Sequence, residues 1–356
     1  MIEDHRVTEM PLGTWAVKST AAVDVTACIV SALRSVSLEP KNIVSASFDG
    51  ASNMSGRHGG VQALLREHSP HLIFVHCRSH LLQLALVQSA RSITEVKRAL
   101  ALLNKLYAMF SHSPKRLSVL QATEVAVDGI SHKLVQPGET RWLSYDGSVA
   151  VVLKHYSAIC LALEAIYADA GDLSCDAGGL LVELRKVSNM YILCLLHSLL
   201  QPLARLSKVL QNSEGNIAAA MEMVKAVLED ISQYKYDVLT TEFESTKLKV
   251  VDAGVILNSD SDFSCCTKLA RKFVTDVLAN LRRRFSDDVS QLCSMQTTLR
   301  EKPEIGNFEG LARLLQLDSK DLQSEWKILR RVSSDLSSQT AMIDLATSPE
   351  KIAMFP

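Results

Sequence analysis

Two short apolar segments, each lying between helical patterns, constrain the fold of this chain more than any other feature. Residues 43–48 and 72–76 are short, apolar and partly β-branched, as buried strands are. Residues 20–38 precede them with helical spacing, and further helical segments follow each strand. The order helix, strand, turn, helix, strand, helix predicts a parallel or mixed α/β sheet.

Beyond residue 81 the strand pattern fades and helical periodicity dominates. Helices are predicted over 81–106 and, overlapping it, 91–110, and then over 148–169, 179–211, 216–233 and 268–285. An irregular excursion is expected in 240–263. One further strand is predicted near residues 14–17. The sequence therefore predicts a small α/β part followed by a large all-helical part, and a mostly helical chain.

Composition predicts a globular chain without a dedicated nucleic-acid module. Hydrophobic residues make up 47% of the 356 residues and charged residues 22%, and the formal net charge is −1. Because a nucleic-acid module shows a strong basic excess, any contact with DNA would come from a local patch. The eight cysteines form no C-x-x-C pair, and buried reduced thiols are expected at Cys160 and Cys194.

An intracellular, reducing compartment is expected from this cysteine usage. The polar, acidic start of the chain predicts no signal peptide. No membrane span is predicted, because the longest apolar run, Tyr191–Leu200, contains His197 and is followed by Pro202.

The first candidate for chemistry is Asp49, which ends the first strand segment within FDGASNMSG. A carboxylate at a strand end can bind Mg²⁺ through its hard oxygens, although two-metal nuclease sites need further carboxylates from other strands. Alternatively, Asp49 caps the following turn through backbone N–H groups. Spacing alone favours capping, because Asp-Gly is common in turns.

Cys77 and His80 form a Cys-x-x-His pair directly after the second strand segment. Such a pair can supply half of a zinc site. The sequence offers no second pair at suitable spacing, so structural zinc is not expected. The alternative is a cysteine and a histidine that pack and hydrogen-bond at a strand-to-helix junction.

Arg141 and Trp142 lie in the segment TRWLS, after Pro137-Gly138. The indole can stack on a base while the guanidinium meets a phosphate. The alternative is a tryptophan at a helix start that packs on the core, with Thr140 as N-cap. Local chemistry alone favours the second interpretation.

Motifs for other enzyme classes are missing from the sequence. There is no G-x-S-x-G, and the glycines after Asp49 have neither the dinucleotide-binding order nor a phosphate-loop lysine. His155 and Cys160 lie five residues apart and do not share a helix face. A small-molecule substrate is therefore not expected.

Taken in order, FDGASNMSG, HCRSH followed by LLQLAL, and TRWLS resemble the hAT family of transposases. The likeness is greatest to its domesticated, zinc-finger-associated vertebrate members, including the zinc-finger MYM-like group. It is clear over about the first 150 residues and looser over the helical remainder. The resemblance implies an RNase H-like fold with a large helical insertion.

The resemblance also implies roles for particular residues. Asp49 matches the second carboxylate of the family's Asp-Asp-Glu metal site, where paired Mg²⁺ ions would activate water or a 3′-hydroxyl. Cys77 and His80 match its Cys-x-x-His motif near the junction of sheet and insertion. Arg141 and Trp142 match the insertion's Arg-Trp, whose aromatic ring can stack on an unpaired base at a cut DNA end.

The chain departs from the family pattern at both ends. Only 48 residues precede Asp49, without the usual acidic strand, and Asp24 lies in a predicted helix. The glutamate segment and the zinc finger are missing as well. We therefore expect truncation at both ends, with a partial RNase H-like core at 1–95, a helical insertion domain at 96–335, and 336–356 as a linker towards a missing dimerisation segment.

With one of three carboxylates, the chain is expected to be a catalytically incomplete, non-enzymatic remnant that binds DNA or protein, or self-associates. Its location is expected to be nuclear by resemblance. No cofactor is expected, and Mg²⁺ would bind Asp49 only if the missing carboxylates were supplied. The alternatives are a fragment of an active transposase with Mg²⁺-dependent strand cleavage and transfer, and a helical protein-interaction scaffold.

Overall fold

The computed structural model describes residues 2–3, 6–7, 11–138, 142–169, 171, 174–211, 217–259, 263–286, 308–309, 312 and 318–332. Within them the chain is mostly helical, as predicted. It divides into two compact units. The strand unit comprises residues 1–81, 211–222 and 285–356, and the helical unit comprises 82–210 and 223–284.

The strand unit is built around a parallel pair of strands. Its elements are β1 (Ile2–Glu3), β2 (Arg6–Val7), α1 (Ala22–Ser35), a 3₁₀ turn (Pro40–Asn42), β3 (Ser45–Phe48), α2 (Ser52–Ser55), α3 (Val61–His68), β4 (Ile73–His76), the start of α4 (Arg78–Arg91) and α14 (Ser319–Val332). β1 pairs with β2 antiparallel. β3 pairs with β4 in parallel, with Phe48 opposite His76, which agrees with the predicted parallel or mixed sheet.

The core of the strand unit lies between the two strands and helices α1 and α3. Val30, Val61, Leu65 and Leu72 are buried, and Phe48 is partly buried against them. Along β3 the serines are exposed while Ala46 and Phe48 are half-buried, which is the two-residue alternation of a strand with one covered face.

A tight turn between α2 and α3 contains Gly56, Gly59 and Gly60. The Gly60 nitrogen donates to the Gly56 carbonyl at 3.1 Å. A Cβ on Gly60 would lie 2.4 Å from the Gly56 nitrogen, and one on Gly56 would lie 2.7 Å from the Ser52 carbonyl oxygen. Gly59, by contrast, would meet nothing within 4 Å. Two of the three glycines are therefore required by backbone packing.

The helical unit contains the remaining helices. They are α5 (Thr94–Ser111), α6 (Pro114–Asp128), α7 (Tyr145–Lys154), α8 (Tyr156–Ala168), α9 (Ser174–Arg185), α10 (Val187–Leu210), α11 (Ile217–Ser232), α12 (Tyr236–Asp252) and α13 (Phe263–Arg284), with a 3₁₀ turn at Trp142–Ser144. α4 and α11 each cross a boundary between the units. α10 packs against α5, α7, α9, α12 and α13 and is the central helix of this unit.

Burial around its whole circumference explains the apolar sequence of α10. Every residue from Asn189 to Leu196 is buried, as expected for a helix surrounded by others. Among the described residues, α10 is the only unbroken helix that is long and apolar enough to cross a membrane. However, 61% of its tested 18-residue window is buried inside the protein. The bent pair α7 and α8 also meets that test together. Core packing accounts for the apolarity of α10 without a membrane.

Several predicted boundaries were wrong because tertiary contacts interrupt or extend the local pattern. The helix predicted over 81–106 is broken after Arg91, and the helix predicted over 179–211 is broken at Lys186, between α9 and α10. The helix predicted over 148–169 bends by 77° at His155. The irregular excursion predicted for 240–263 is mostly α12.

Three further predictions concern the ends of the chain and the domain limits. Residues 14–17 are not a strand. The units divide between Leu81 and Leu82, whereas the sequence placed a domain limit after residue 95. The predicted linker 336–356 lies outside the described residues.

Candidate functional site

The parallel pairing brings Asp49 and Cys77 to the same edge of the sheet. Each residue directly follows its strand, and the Cys77 nitrogen donates to the Phe48 carbonyl at 2.8 Å. In open α/β sheets, ligands bind outside the carboxyl ends of the strands. The sequence motifs thus meet at the edge of the strand unit where chemistry is expected.

Asp49 is exposed and its carboxylate is engaged in the following turn. Its Oδ1 accepts a hydrogen bond from the Ala51 nitrogen at 3.1 Å, an Asx turn that leads into α2. This is the capping role that spacing alone favoured. One carboxylate oxygen is therefore occupied by the backbone.

The rest of the first motif serves local structure. The Asn53 Nδ2 donates to the Thr20 carbonyl at 2.9 Å, linking α2 to the segment before α1. The Gln62 Nε2 donates to the Ser55 carbonyl at 2.7 Å. These bonds and the glycine contacts hold the turn that follows Asp49 in one conformation.

Cys77 and His80 lie at the start of α4, and both are half-buried. The Cys77 carbonyl accepts from the Leu81 nitrogen at 3.0 Å, so Cys77 begins the helical hydrogen-bond pattern. The spacing of three residues places His80 on the same side of the helix start. Among the described residues no group of three His, Cys, Asp or Glu side chains converges as a metal site.

Sequence reasoning missed Arg78, between the two motif residues. It is only 8% exposed, and its guanidinium carbon lies 6.0 Å from the centroid of the Phe285 ring. The neighbouring Ser79 accepts from the Gln211 Nε2 at 2.9 Å. A buried arginine directly after Cys77 adds positive charge near the strand edge, but no local pattern distinguishes it from a surface arginine.

Arg141 lies outside the described residues, as does the side chain of Trp142. The backbone of Trp142 begins the 3₁₀ turn before α7. The flanking residues are tied together, because the Gly138 nitrogen donates to the Ser144 Oγ at 2.7 Å. The Leu143 nitrogen donates to the Gln83 Oε1 at 3.4 Å. The positions that bracket the Arg-Trp motif are thus fixed to the helical unit.

A cavity of about 930 Å³ adjoins this motif. Its lining includes Asn104, Lys105, Tyr107, His112, Gly138 and Ser144. The Asn104 Nδ2 donates to the Tyr145 hydroxyl at 2.9 Å. The cavity therefore combines a cation, an aromatic ring and hydrogen-bonding groups beside the turn that carries Trp142.

A second cavity, of about 890 Å³, lies between α5 and α9 and shares Lys105 and His112 with the first. Arg98, Lys105, His112 and Arg116 line one side, and Asp176 and Glu183 line the other. The Glu183 carboxylate contacts the Lys186 Nζ at 2.6 Å. That hydrogen bond lowers the pKa of Glu183.

A buried polar cluster anchors the segment after α6. The Glu124 Oε2 accepts from the His132 nitrogen at 2.9 Å, and the Asp128 Oδ2 lies 2.6 Å from the His155 Nδ1. The rings of His132 and His155 lie 4.3 Å apart. These contacts attach the segment to the bend between α7 and α8, which explains the break at His155.

The buried thiols are unsuited to nucleophilic chemistry. Burial raises the pKa of Cys160 to about 12, with a smaller contribution from Glu164. Burial likewise raises the pKa of Cys194 to about 12. Because the thiolate is the reactive form, neither residue is an activated nucleophile, and His155 is paired with Asp128 instead of Cys160.

Neither the protein-family models nor the solved structures identify a relative of this chain. No family model matches it. No solved structure matches it either. Its own residues and their geometry therefore carry the functional proposal.

Proposed function

We propose that this chain is a catalytically incomplete derivative of a hAT-family transposase that binds DNA in the nucleus through its helical unit. In this proposal the strand unit is the remnant of an RNase H-like core and the helical unit is the family's insertion. The observation that carries the proposal is the parallel pairing of β3 and β4, which sets Asp49 beside Cys77 at one sheet edge.

The motif order supports the ancestry because each motif lies where such a fold would need it. Asp49 follows the first strand of the pair, and the Cys-x-x-His follows the second at the start of a long helix. The Arg-Trp motif lies within the helical unit, directly before α7. Nuclear location follows from the same proposed ancestry.

A lone carboxylate supports loss of catalysis. The segments that directly follow the two strands, 49–56 and 77–80, contain one acidic residue, Asp49. Two-metal phosphodiester chemistry needs several carboxylates to hold both ions. One oxygen of Asp49 already accepts a backbone hydrogen bond, which favours its structural role in this chain.

The cavity beside Trp142 supports DNA binding from a local patch. Lys105 and His112 line it together with the ring of Tyr107. Single strands are bound by grooves that combine cations for the backbone with aromatic rings for the bases. Such a local patch is compatible with a net charge of −1, because binding depends on charge near the strand.

Fluorescence anisotropy with a labelled single-stranded oligonucleotide of about 20 nucleotides, at low salt, tests this proposal. Trp142→Ala is expected to weaken binding by about 5- to 150-fold, since stacking contributes about 1–3 kcal/mol per base. Trp15→Ala is the matched control, because Trp15 is 37% exposed and lies in the strand unit.

Arg141→Ala is expected to reduce the steepness of the slope of log K against log salt concentration by about 1, because one phosphate contact is lost. Arg205→Ala, an exposed arginine on α10, is its control. The proposal is wrong if the chain does not retain DNA at low salt, or if Trp142→Ala and Trp15→Ala bind DNA equally well.

A further inference from the structure

The cavity between α5 and α9 is a groove with walls of opposite charge. The wall formed by α5 and the start of α6 carries Arg98, Lys105, His112 and Arg116. The α9 wall carries Asp176 and Glu183. We call this feature the charge-split groove; it lies entirely within the helical unit.

The basic residues that α5 contributes to the groove lie along one side of that helix. Arg98, Lys105 and His112 recur every seven residues, so they lie along one side of the helix over about 21 Å. The floor between them is apolar and includes Leu102, Ala108, Met109 and Leu180. The groove is thus elongated, with apolar contacts in the middle and charges along both edges.

Small residues keep the groove open. Gly179 lies in the interior of α9, and a Cβ there would meet nothing within 4 Å. Its neighbour Gly178 differs, because a Cβ on it would lie 2.8 Å from the Tyr167 ring. Glycine is a poor helix former, so its presence inside a helix needs a reason. The nearby Tyr167 ring is that reason for Gly178, but no neighbour within the described residues requires glycine at position 179. A bound group that approaches the α9 backbone from the groove would require it.

Several groove charges are available to a partner. The side chains of Lys105 and Asp176 make no hydrogen bond or ion pair within the part of the chain that the structure describes, and both residues are exposed. Glu183 is bonded to Lys186 and Asn189. Arg116 donates through its Nε to the Met109 carbonyl. Lys105 on α5 and Asp176 on α9 therefore each give the groove one charge that is not engaged within the described residues.

We propose that the charge-split groove binds an amphipathic helix of a partner protein. The helix inserts an apolar stripe between α5 and α9, presents acidic residues to Arg98 and Lys105, and presents a basic residue to Asp176. Helices bind grooves in this manner, with anchors spaced every three to four residues. This proposal does not depend on DNA binding, although the groove shares Lys105 and His112 with the cavity beside Trp142.

The acidic wall favours a protein over a nucleic acid. Phosphates would be attracted to Lys105 but repelled by Asp176 and Glu183 on the opposite side. A helix can carry opposite charges on its two edges, as coiled-coil partners do. Complementarity to both walls at once is therefore a property of a peptide and not of a polyanion.

The test uses the full chain and a fluorescein-labelled synthetic helix of about 18 residues. Leucine occupies one stripe of the peptide, glutamate one edge and lysine the other. We expect a Kd on the order of 10 μM by anisotropy. Lys105→Glu is expected to weaken binding by at least about tenfold, and a peptide with lysine on both edges restores binding to this variant.

Gly179→Leu, which fills the groove, is also expected to weaken binding by about tenfold. The matched controls are Lys97→Glu, an exposed lysine of α5 outside the groove, and Val182→Leu, an exposed residue of α9. Both are expected to bind the peptide as the parent chain does. Circular dichroism verifies folding, and Lys105→Glu at an exposed position decides the test if Gly179→Leu fails to fold.

Three results overturn the proposal. The first is the lack of peptide binding up to about 1 mM. The second is equal weakening by Lys105→Glu and Lys97→Glu, which would indicate general charge attraction. The third is displacement of the peptide by a single-stranded oligonucleotide whose own binding Gly179→Leu abolishes. Gly179 lines the groove but not the cavity beside Trp142, so this result would assign the groove to nucleic acid.

Discussion

Removing the Tyr156 hydroxyl tests whether α8 and α9 are joined as the structure has them. Tyr156 is 1% exposed, and its hydroxyl donates to the Leu184 carbonyl at 2.5 Å. Leu184 lies in the last turn of α9, where carbonyls lack an intrahelical partner. Burial raises the pKa of Tyr156 well above its ordinary value, which favours the protonated hydroxyl that donates this hydrogen bond.

Tyr156→Phe keeps the buried ring and leaves one buried acceptor without its partner. We expect a loss of about 1–3 kcal/mol in the free energy of unfolding. For a unit of this size, each kcal/mol corresponds to about 2–4 °C in Tm. Urea unfolding followed by far-UV circular dichroism measures the loss, with an unchanged m-value.

Tyr167→Phe is the control, because Tyr167 is 56% exposed on the same helix. Its change is expected to stay within about 0.5 kcal/mol. Equal stabilities of the two variants would refute the reasoning, because the buried hydrogen bond would then contribute nothing that an exposed hydroxyl does not.

Three further predictions concern the turn glycines, a buried thiol and an ion pair. Gly60→Ala places a methyl 2.4 Å from a backbone nitrogen and is expected to cost about 1–3 kcal/mol, while Gly59→Ala stays neutral or gains up to about 1 kcal/mol; chemical unfolding compares them. In folded protein at pH 8, a thiol reagent is expected to modify the exposed Cys175 but not Cys160, because Cys160 is buried and burial raises its pKa to about 12. Mass spectrometry of the digested protein measures both rates, and equal rates would contradict this prediction. The folded-state pKa of Glu183 is lowered by its bond to a lysine, so its stabilisation is present above the unfolded pKa and lost as pH falls through the folded one. Glu183→Gln is accordingly expected to cost at most about 1 kcal/mol at pH 7, with no difference from the parent at low pH; a constant difference would contradict the linkage.

The local fold around Asp49 and Cys77 was predictable because its causes are local. Apolar runs bounded by turn residues determine where β3 and β4 lie, and the helical segment between them requires a parallel crossover. Once the strands are parallel, residues that directly follow them share an edge. The Asx turn at Asp49 was also predictable, since the aspartate bonds a nitrogen only two residues away.

The charge-split groove was not predictable because its two walls are distant in sequence. Lys105 and Asp176 approach the same cavity only after α5 and α9 have packed. The bend at His155 depends in the same way on Asp128, which is 27 residues earlier. Helical periodicity reports which face of a helix is apolar, but not which other helix covers that face.

Nuclease activity of the full chain with Asp49 intact and with Asp49→Ala tests the central claim most directly. The chain, purified and supplied with Mg²⁺ or Mn²⁺, is incubated with labelled duplex and single-stranded DNA. We predict DNA binding without metal-dependent cleavage, and equal behaviour of the parent chain and Asp49→Ala. Cleavage that requires the metal ion and disappears in Asp49→Ala would contradict the account and establish the chain as a working part of a transposase.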